Sequence, residues 1–215
     1  MSVTSIAEQV RAMRSEMGDQ PPSAFDREQR ALAERTVTGV IAVGERLPNA
    51  ELLNVPGEPT ELLGELAGRR GVLAFYRGVW CPFCNIALHA YQTELLPALS
   101  DRAVSLLAIS PQMPDGSMSM REKHGLQFAV LSDPGNKLAE AAGILTAPSE
   151  DARAAQLELG LDLTQVNADG TVVLPMPTIA ILDPDATVRW IDVHPDYSTR
   201  TETAEILAAL DALEA

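Results

Sequence analysis

The stretch Phe75-Tyr76-Arg77-Gly78-Val79-Trp80-Cys81-Pro82-Phe83-Cys84, "FYRGVWCPFC", holds both cysteines of a 215-residue chain. They stand three positions apart. The apolar run "VLAFY" (72–76) before them suits a buried strand, and "CNIALHAYQTELLPAL" (84–99) after them has helical composition. Pro82 fits the first turn of that helix, where its missing N–H costs nothing. Cys81 is then the capping residue. A thiolate there faces unsatisfied backbone N–H groups and the positive end of the helix dipole, which both lower a thiol pKa. Residues three apart on a helix lie roughly 5–6 Å from each other, within the Cα separation of about 4.4–6.8 Å that a disulfide accepts. The pair is therefore expected to cycle between dithiol and disulfide without rearranging the fold. Two other readings compete: buried thiols packed as small hydrophobes, and a zinc site. Zinc would need two more ligands from His89, His124, His194 or carboxylates, with no second cysteine pair to supply them. Redox chemistry without a metal or cofactor is the preferred reading.

Outward from this motif, strands alternate with helices. "VSLLAI" (104–109) and "QFAVLS" (127–132) read as buried strands, each followed by a helical stretch, "SMSMREKHG" and "NKLAEAAGI". "TIAIL" (178–182) and "TVRWIDV" (187–193) flank "DPDA" as a hairpin, and "TAEILAALDAL" closes the chain as a helix with Ile206, Leu210 and Leu213 on one face. This pattern argues for an α/β domain over 41–215 with a partly parallel sheet and one antiparallel edge. Residues 146–174 break the alternation and read as an insertion before the last hairpin, with a helix at "SEDARAAQLELG" and a turn at "NADG". Residues 1–40 read as a helical extension. Ser5 and Glu8 have capping-box spacing, Ile6, Val10, Met13 and Met17 share a helical face, "GDQPPS" (18–23) breaks it, and "AFDREQRALAERT" resumes. The two helices either pack on their own domain or form a homodimer contact.

Composition narrows the function. Hydrophobic residues make up 46% of the chain and charged residues 21%, as in an ordinary globular protein. No run approaches the roughly 18 apolar residues of a membrane span. The first residues mix charges through every turn, unlike a secretory signal, so a cytoplasmic location is expected. With 30 acidic against 16 basic residues the net charge is −14, which repels a phosphate backbone, and nucleic acid is not expected as a partner. A close cysteine pair in a reducing compartment is more often catalytic or metal-binding than structural.

The motif, with "VGERLPNAELLNVPGEPTEL" upstream and "MPTIAILDPDATVRW" downstream, resembles the thioredoxin superfamily. More closely it resembles the peroxiredoxin-like branch grouped with alkyl hydroperoxide reductase and thiol-specific antioxidant proteins (AhpC/TSA). The resemblance covers roughly residues 43–215 and extends to "LPMPT" and "HPDYSTRTE". It implies a thioredoxin-like fold and thiol-based reduction of hydroperoxides or disulfides, with thioredoxin or a low-molecular-weight thiol as the external reductant.

The resemblance has two registers. Laid on the thioredoxin motif, Trp80 and Cys81 match, Cys81 is the exposed nucleophile and Cys84 resolves. Laid on the peroxiredoxin pattern, the attacking cysteine is Cys84, Arg77 stands where the family has proline, and Cys81 stands where it has threonine. Peroxide cleavage needs donors that stabilise the departing oxygen. In peroxiredoxins these are that threonine and an arginine from a later strand, whose place, by alignment of "AILD", falls here on Pro177. Pro177, preceded by Met176, matches instead the cis-proline that faces the cysteines in thioredoxins, with a trans proline opening a strand as the alternative. Arg77 either replaces the missing guanidinium or is a surface arginine in a salt bridge. Trp80 is read as packing and as a lid over the sulfurs, and Phe83 as core. His89, about 140° round the helix from Cys84, is not expected to act on a thiol. His194, Tyr197 and Arg200 of "HPDYSTR" are read first as capping and packing, with a role at the site as the alternative. The expected enzyme reduces hydroperoxides through a Cys81-Cys84 dithiol/disulfide cycle. The alternatives are a thioredoxin-like oxidoreductase of protein or small disulfides, and a redox sensor or adaptor without turnover.

Overall fold

The computed structural model describes residues 4–16 and 23–214. Two helices come first, α1 (Ile6–Glu16) and α2 (Ala24–Ala33). The expected capping box opens α1: the Ser5 N–H donates to the Glu8 carboxylate at 3.0 Å, and the Glu8 N–H donates to Ser5 Oγ at 3.2 Å. A second box, Ser23 with Asp26, opens α2. Met17 and the break at 18–22 lie outside the described residues.

A hairpin follows, β1 (Glu51–Leu53) and β2 (Pro59–Glu61), with a short helix α3 (Leu62–Leu66). Next come β3 (Gly71–Phe75), α4 (Pro82–Ala90), a π-helical turn (Tyr91–Leu95) and α5 (Leu96–Asp101). The alternation continues through β4 (Ser105–Ser110), α6 (Pro114–His124), β5 (Ala129–Ser132) and α7 (Lys137–Ala141). Between α7 and the last hairpin lie β6 (Leu145–Thr146), α8 (Glu150–Glu158), α9 (Leu163–Val166) and β7 (Leu174–Pro175). The chain ends with β8 (Thr178–Leu182), β9 (Val188–Val193) and α10 (Thr203–Glu214).

Seven strands form one sheet in the order β2-β1-β5-β4-β3-β8-β9, and β6 pairs with β7 apart from it. β3, β4 and β5 run parallel, while β8 and β9 are antiparallel on one side and β1 and β2 on the other. Both edges are thus antiparallel, where the sequence pattern indicated one. The central strands alternate their side chains between two buried layers, as pleating requires. Val72, Ala74 and Tyr76 enter the layer that holds Cys81, Cys84, Ile206 and Leu210; Leu73 and Phe75 enter the opposite layer with Leu138 and Leu182.

Both N-terminal helices pack on their own domain, α1 against α4 and α2 against α8. Ile6 and Val10 join the layer of the cysteines. The first N–H groups of α1, at Ile6 and Ala7, donate to the Glu202 carboxylate at 2.8 Å each. This meets the helix's exposed donors with a negative charge at its positive end. No described helix is long and apolar enough to cross a membrane.

Candidate active site

β3 delivers the motif at the C-terminal end of a central parallel strand, where ligands of open α/β sheets bind. Cys81 is the residue preceding α4, and Pro82 is in its first turn, as the spacing indicates. The Cys81 carbonyl accepts the N–H groups of Cys84 and Asn85, both at 3.1 Å, so the cysteine pair is wound on one helical turn. The Asn85 side chain pins the approach by donating to the carbonyls of Val79 and Cys81, each at 2.9 Å. Its Oδ1 lies 2.7 Å from His124 Nε2.

Both cysteines are free and buried, Cys81 at 1% and Cys84 at 0% exposure. Arg200 spans the pair: Nη2 is 3.0 Å from Cys84 Sγ and 3.8 Å from Cys81 Sγ. The backbone N–H of Arg77 adds a donor to Cys84 Sγ at 3.5 Å. Burial pushes the Cys84 thiol up, but the hydrogen bond from Cys81, the Arg200 charge, and the N–H and charge of Arg77 outweigh it. Cys84 is held well below the ordinary thiol range. Burial and its bond to Cys84 push Cys81 well above that range. The order suggested by helix position is therefore reversed. Cys81 stands at the helix start, but its side chain takes no capping hydrogen bond and its sulfur is the worse placed for charge.

Arg200 is held in turn. Its Nη1 donates to the carbonyls of Tyr197 at 2.7 Å and Thr199 at 2.5 Å. The loop that carries it is tied by His194, whose ring nitrogens lie 2.7 Å from Thr199 Oγ1 and 3.0 Å from Asp192 Oδ2. Thr201 Oγ1 donates to Asp192 at 2.8 Å, and Tyr91 Oη to the Thr201 carbonyl at 2.8 Å. Arg200 is the residue at the cysteine pair that alignment of strands missed. It comes from the loop after β9, one element later than the strand on which the register placed a guanidinium, and "HPDYSTR" was the signal for it.

Arg77 is 4% exposed, which rules out the surface reading, and it makes no salt bridge among the described residues. Its guanidinium lies 3.8 Å from the centroid of the Tyr197 ring and 5.1 Å from that of Trp80. Desolvated contacts of this kind are worth about 2 kcal/mol or more. Trp80 is half-buried and serves as one wall for Arg77. Phe83 is half-buried too, with its ring 6.4 Å from Tyr197 and the Arg14 guanidinium of α1 5.4 Å above it. His89 faces His124 across 5.9 Å, away from the thiols.

A small cavity opens beside Cys84, lined by Tyr76, Tyr91, Pro177, Thr178, His194, Arg200 and Thr201 among others; Cys81 is not part of the lining. Pro177 thus faces Cys84, but its peptide bond is trans, against the cis bond expected from the thioredoxin register. The extended chain explains this. The Met176 N–H reaches the Ile144 carbonyl at 2.7 Å and the Pro177 carbonyl accepts the His194 N–H at 2.8 Å, so the segment runs straight into β8 without a reversal. Met176 does not reach the site, since it packs in the opposite layer with Leu138 and Leu182. Among the described residues no three His, Cys, Asp or Glu side chains converge as a metal-binding set.

A sheet with this order, carrying a buried cysteine pair at the end of its central strand, defines a thiol protein of the thioredoxin-like fold. The chain belongs to the AhpC/TSA family, whose pattern matches residues 43–191. It is 30% identical to peroxiredoxin Bcp of Bacillus subtilis over 101 residues, covering 47% of this chain and 63% of that one. It is 28% identical to thiol-disulfide oxidoreductase ResA of Halalkalibacterium halodurans over 107 residues, or 49% of this chain and 59% of that one. The chain thus spans under two thirds of the length of either relative. Reduced Prx3 of Vibrio vulnificus, solved in complex with hydrogen peroxide, superposes with a TM-score of 0.64 at 22% identity. That match covers 79% of this chain and 99% of that one, and shows the fold.

Proposed function

We propose that the protein is a thiol peroxidase in which Cys84 attacks a hydroperoxide and Cys81 resolves the product. The Cys84 thiolate attacks the outer peroxide oxygen. The S–O bond forms as O–O breaks, and the alkoxide or hydroxide leaves and takes up a proton. Cys81 sulfur then attacks the sulfenic acid at Cys84, the S–S bond forms, and water departs. An external thiol, thioredoxin or a low-molecular-weight thiol, reduces the disulfide. The observation that carries this reading is Arg200: its Nη2 stands 3.0 Å from Cys84 Sγ at the cavity wall. There a fixed donor stabilises both the attacking thiolate and the charge that develops on the departing oxygen. Membership of the AhpC/TSA family and the likeness to peroxiredoxin Bcp support it.

The test is the second-order rate of the reduced protein with hydrogen peroxide, followed by tryptophan fluorescence and set against a free small thiol. A rate orders of magnitude above the free thiol supports the proposal, and a rate equal to it sinks it.

A disulfide oxidoreductase is the second reading, favoured by Trp80-Cys81 in the thioredoxin register and by the likeness to ResA. It requires Cys81 as the accessible nucleophile, and Cys81 does not line the cavity and has its thiol pushed well above the ordinary range. Turnover of small disulfides or insulin without peroxide turnover would decide for it. The proposed compartment is the reducing cytoplasm, where a vicinal pair is kept as free thiols between turnovers. A homodimer is part of this reading, and light scattering decides it.

A further inference from the structure

Arg77 presents a physical problem. A buried guanidinium is costly without a countercharge, yet among the described residues no carboxylate pairs with it and its Nε has no partner. Tyr197 supplies the holding contact instead. Its ring centroid lies 3.8 Å from the Arg77 guanidinium carbon, and its backbone carbonyl accepts Arg200 Nη1 at 2.7 Å. One residue therefore grips both arginines whose charge acts on Cys84, Arg200 in contact with the sulfur and Arg77 from the residue whose backbone N–H reaches it. The kind of grip matters. A carboxylate would fix an arginine but cancel its charge, whereas an aromatic face and a neutral carbonyl fix it and leave the charge to act on the sulfur. The ring is itself anchored at its far end, where Tyr197 Oη donates to the Phe25 carbonyl of α2 at 3.5 Å.

We propose that Tyr197 is a positioning residue that holds two uncancelled guanidinium groups, those of Arg77 and Arg200, toward Cys84, and so sets how much thiolate the site presents. The proposal rests on the reading that Cys84 is the reacting sulfur. The charged and titratable groups facing Cys84 are Cys81, Arg77, Arg200, Tyr76 and Tyr91, and His194 lines the cavity beside it. Arg77 and Glu28 face the Tyr197 ring and hydroxyl. Burial keeps the Tyr197 phenol protonated far above its ordinary range, so it contributes no titration of its own near neutrality.

The experiment titrates Cys84 by thiolate absorbance in the Cys81→Ser background, so that a single thiol ionises. Tyr197→Leu, which removes the aromatic face, is expected to raise the midpoint by about one unit, a roughly tenfold change in the ionisation constant. Tyr197→Phe keeps the face and is expected to leave the midpoint near the starting value. The ratio of alkylation rates by anionic iodoacetate and neutral iodoacetamide should fall in the leucine variant, because local positive charge has been lost. Arg77→Gln should give a similar shift, and adding it to Tyr197→Leu should give less than the sum of the two. Tyr197→Met supplies the same measurement should the leucine variant not fold. A folded variant without the ring whose midpoint and alkylation ratio match the starting protein overturns the proposal, as does full additivity with Arg77→Gln. The titration uses no peroxide. A protein that ionises early yet fails to reduce peroxide therefore sinks the peroxidase reading and leaves this one intact, while unchanged midpoints with rapid peroxide reduction do the reverse.

Discussion

Arg200 Nη2 sits 3.0 Å from Cys84 Sγ and 3.8 Å from Cys81 Sγ, so a single charged nitrogen is shared unequally by the two sulfurs. The unequal sharing favours charge on Cys84 and a proton on Cys81. Arg200→Met, which keeps bulk and removes charge, should slow the reaction of Cys84 with hydrogen peroxide by on the order of 100- to 1,000-fold. Arg200→Lys should recover only part of the loss, because an ammonium lacks the fork that reaches the sulfurs and the loop carbonyls together. Stopped-flow rates on the two variants check this, and a methionine variant as fast as wild type would remove Arg200 from the chemistry.

The cysteines should separate cleanly. Cys84→Ser should consume no peroxide. Cys81→Ser should take up a single equivalent and stop with one added oxygen on Cys84, visible by intact mass and trapped by a sulfenic-acid reagent. The Cys84 pKa is lowered in the folded state, so its ionisation adds stability above the ordinary thiol range, and that stability is lost as pH falls through the lowered value. The stability advantage of the reduced Cys81→Ser protein over the double serine variant should therefore shrink from alkaline toward acid pH. A constant difference would contradict the assignment.

Asp133 titrates with the opposite sign. Burial raises it from 3.8 to about 6, although its Oδ2 accepts the N–H groups of Leu138 and Ala139 at the start of α7. The native state thus holds this proton longer than the unfolded chain does. The associated stability is fully present below 3.8 and is lost as pH rises through about 6. Asp133→Asn keeps an acceptor for α7 and removes the titration. At neutral pH it should be the more stable protein by about 1–3 kcal/mol, with the difference vanishing near pH 4. Urea melts across this range are the measurement.

Gly78 has φ of 152°, and a Cβ there would lie 2.4 Å from Trp80 Nε1. Gly78→Ala should cost about 1–3 kcal/mol through backbone strain and the clash. It should also displace the indole from Arg77 and change the tryptophan emission of the folded state. An alanine variant with wild-type stability and spectrum would show that the turn relaxes freely.

The sequence made the central sheet readable because β3, β4 and β8 are runs of buried apolar residues bounded by turn residues, and their boundaries shifted by only a residue or so. The β1–β2 hairpin escaped notice because each strand is three residues long, too short for period-two alternation to register. The cysteine pair was legible from its spacing, but the identity of the ionising sulfur was not. That depends on Arg200, which lies 116 residues after Cys84 in the chain and whose direction no local pattern encodes. Pro177 was misjudged as cis because a motif match carries no information on whether the chain must reverse; here the backbone bonds of Met176 and Pro177 draw it out straight. Arg77 left two readings open, since a charged residue in sequence gives no sign that two aromatic rings will replace its carboxylate.

The six residues from Tyr197 to Glu202 hold α2 through a hydroxyl, the cysteines through a guanidinium and α1 through a carboxylate. The bond from Ile6 to Glu202 closes a separation of 196 residues. On the ribosome, the first helix is made long before its anchor exists. Its apolar face and Cys84 must wait together until that loop emerges. The loop after β9 therefore joins the cysteines and both N-terminal helices in one step, and this long-range closure belongs to the slow part of folding.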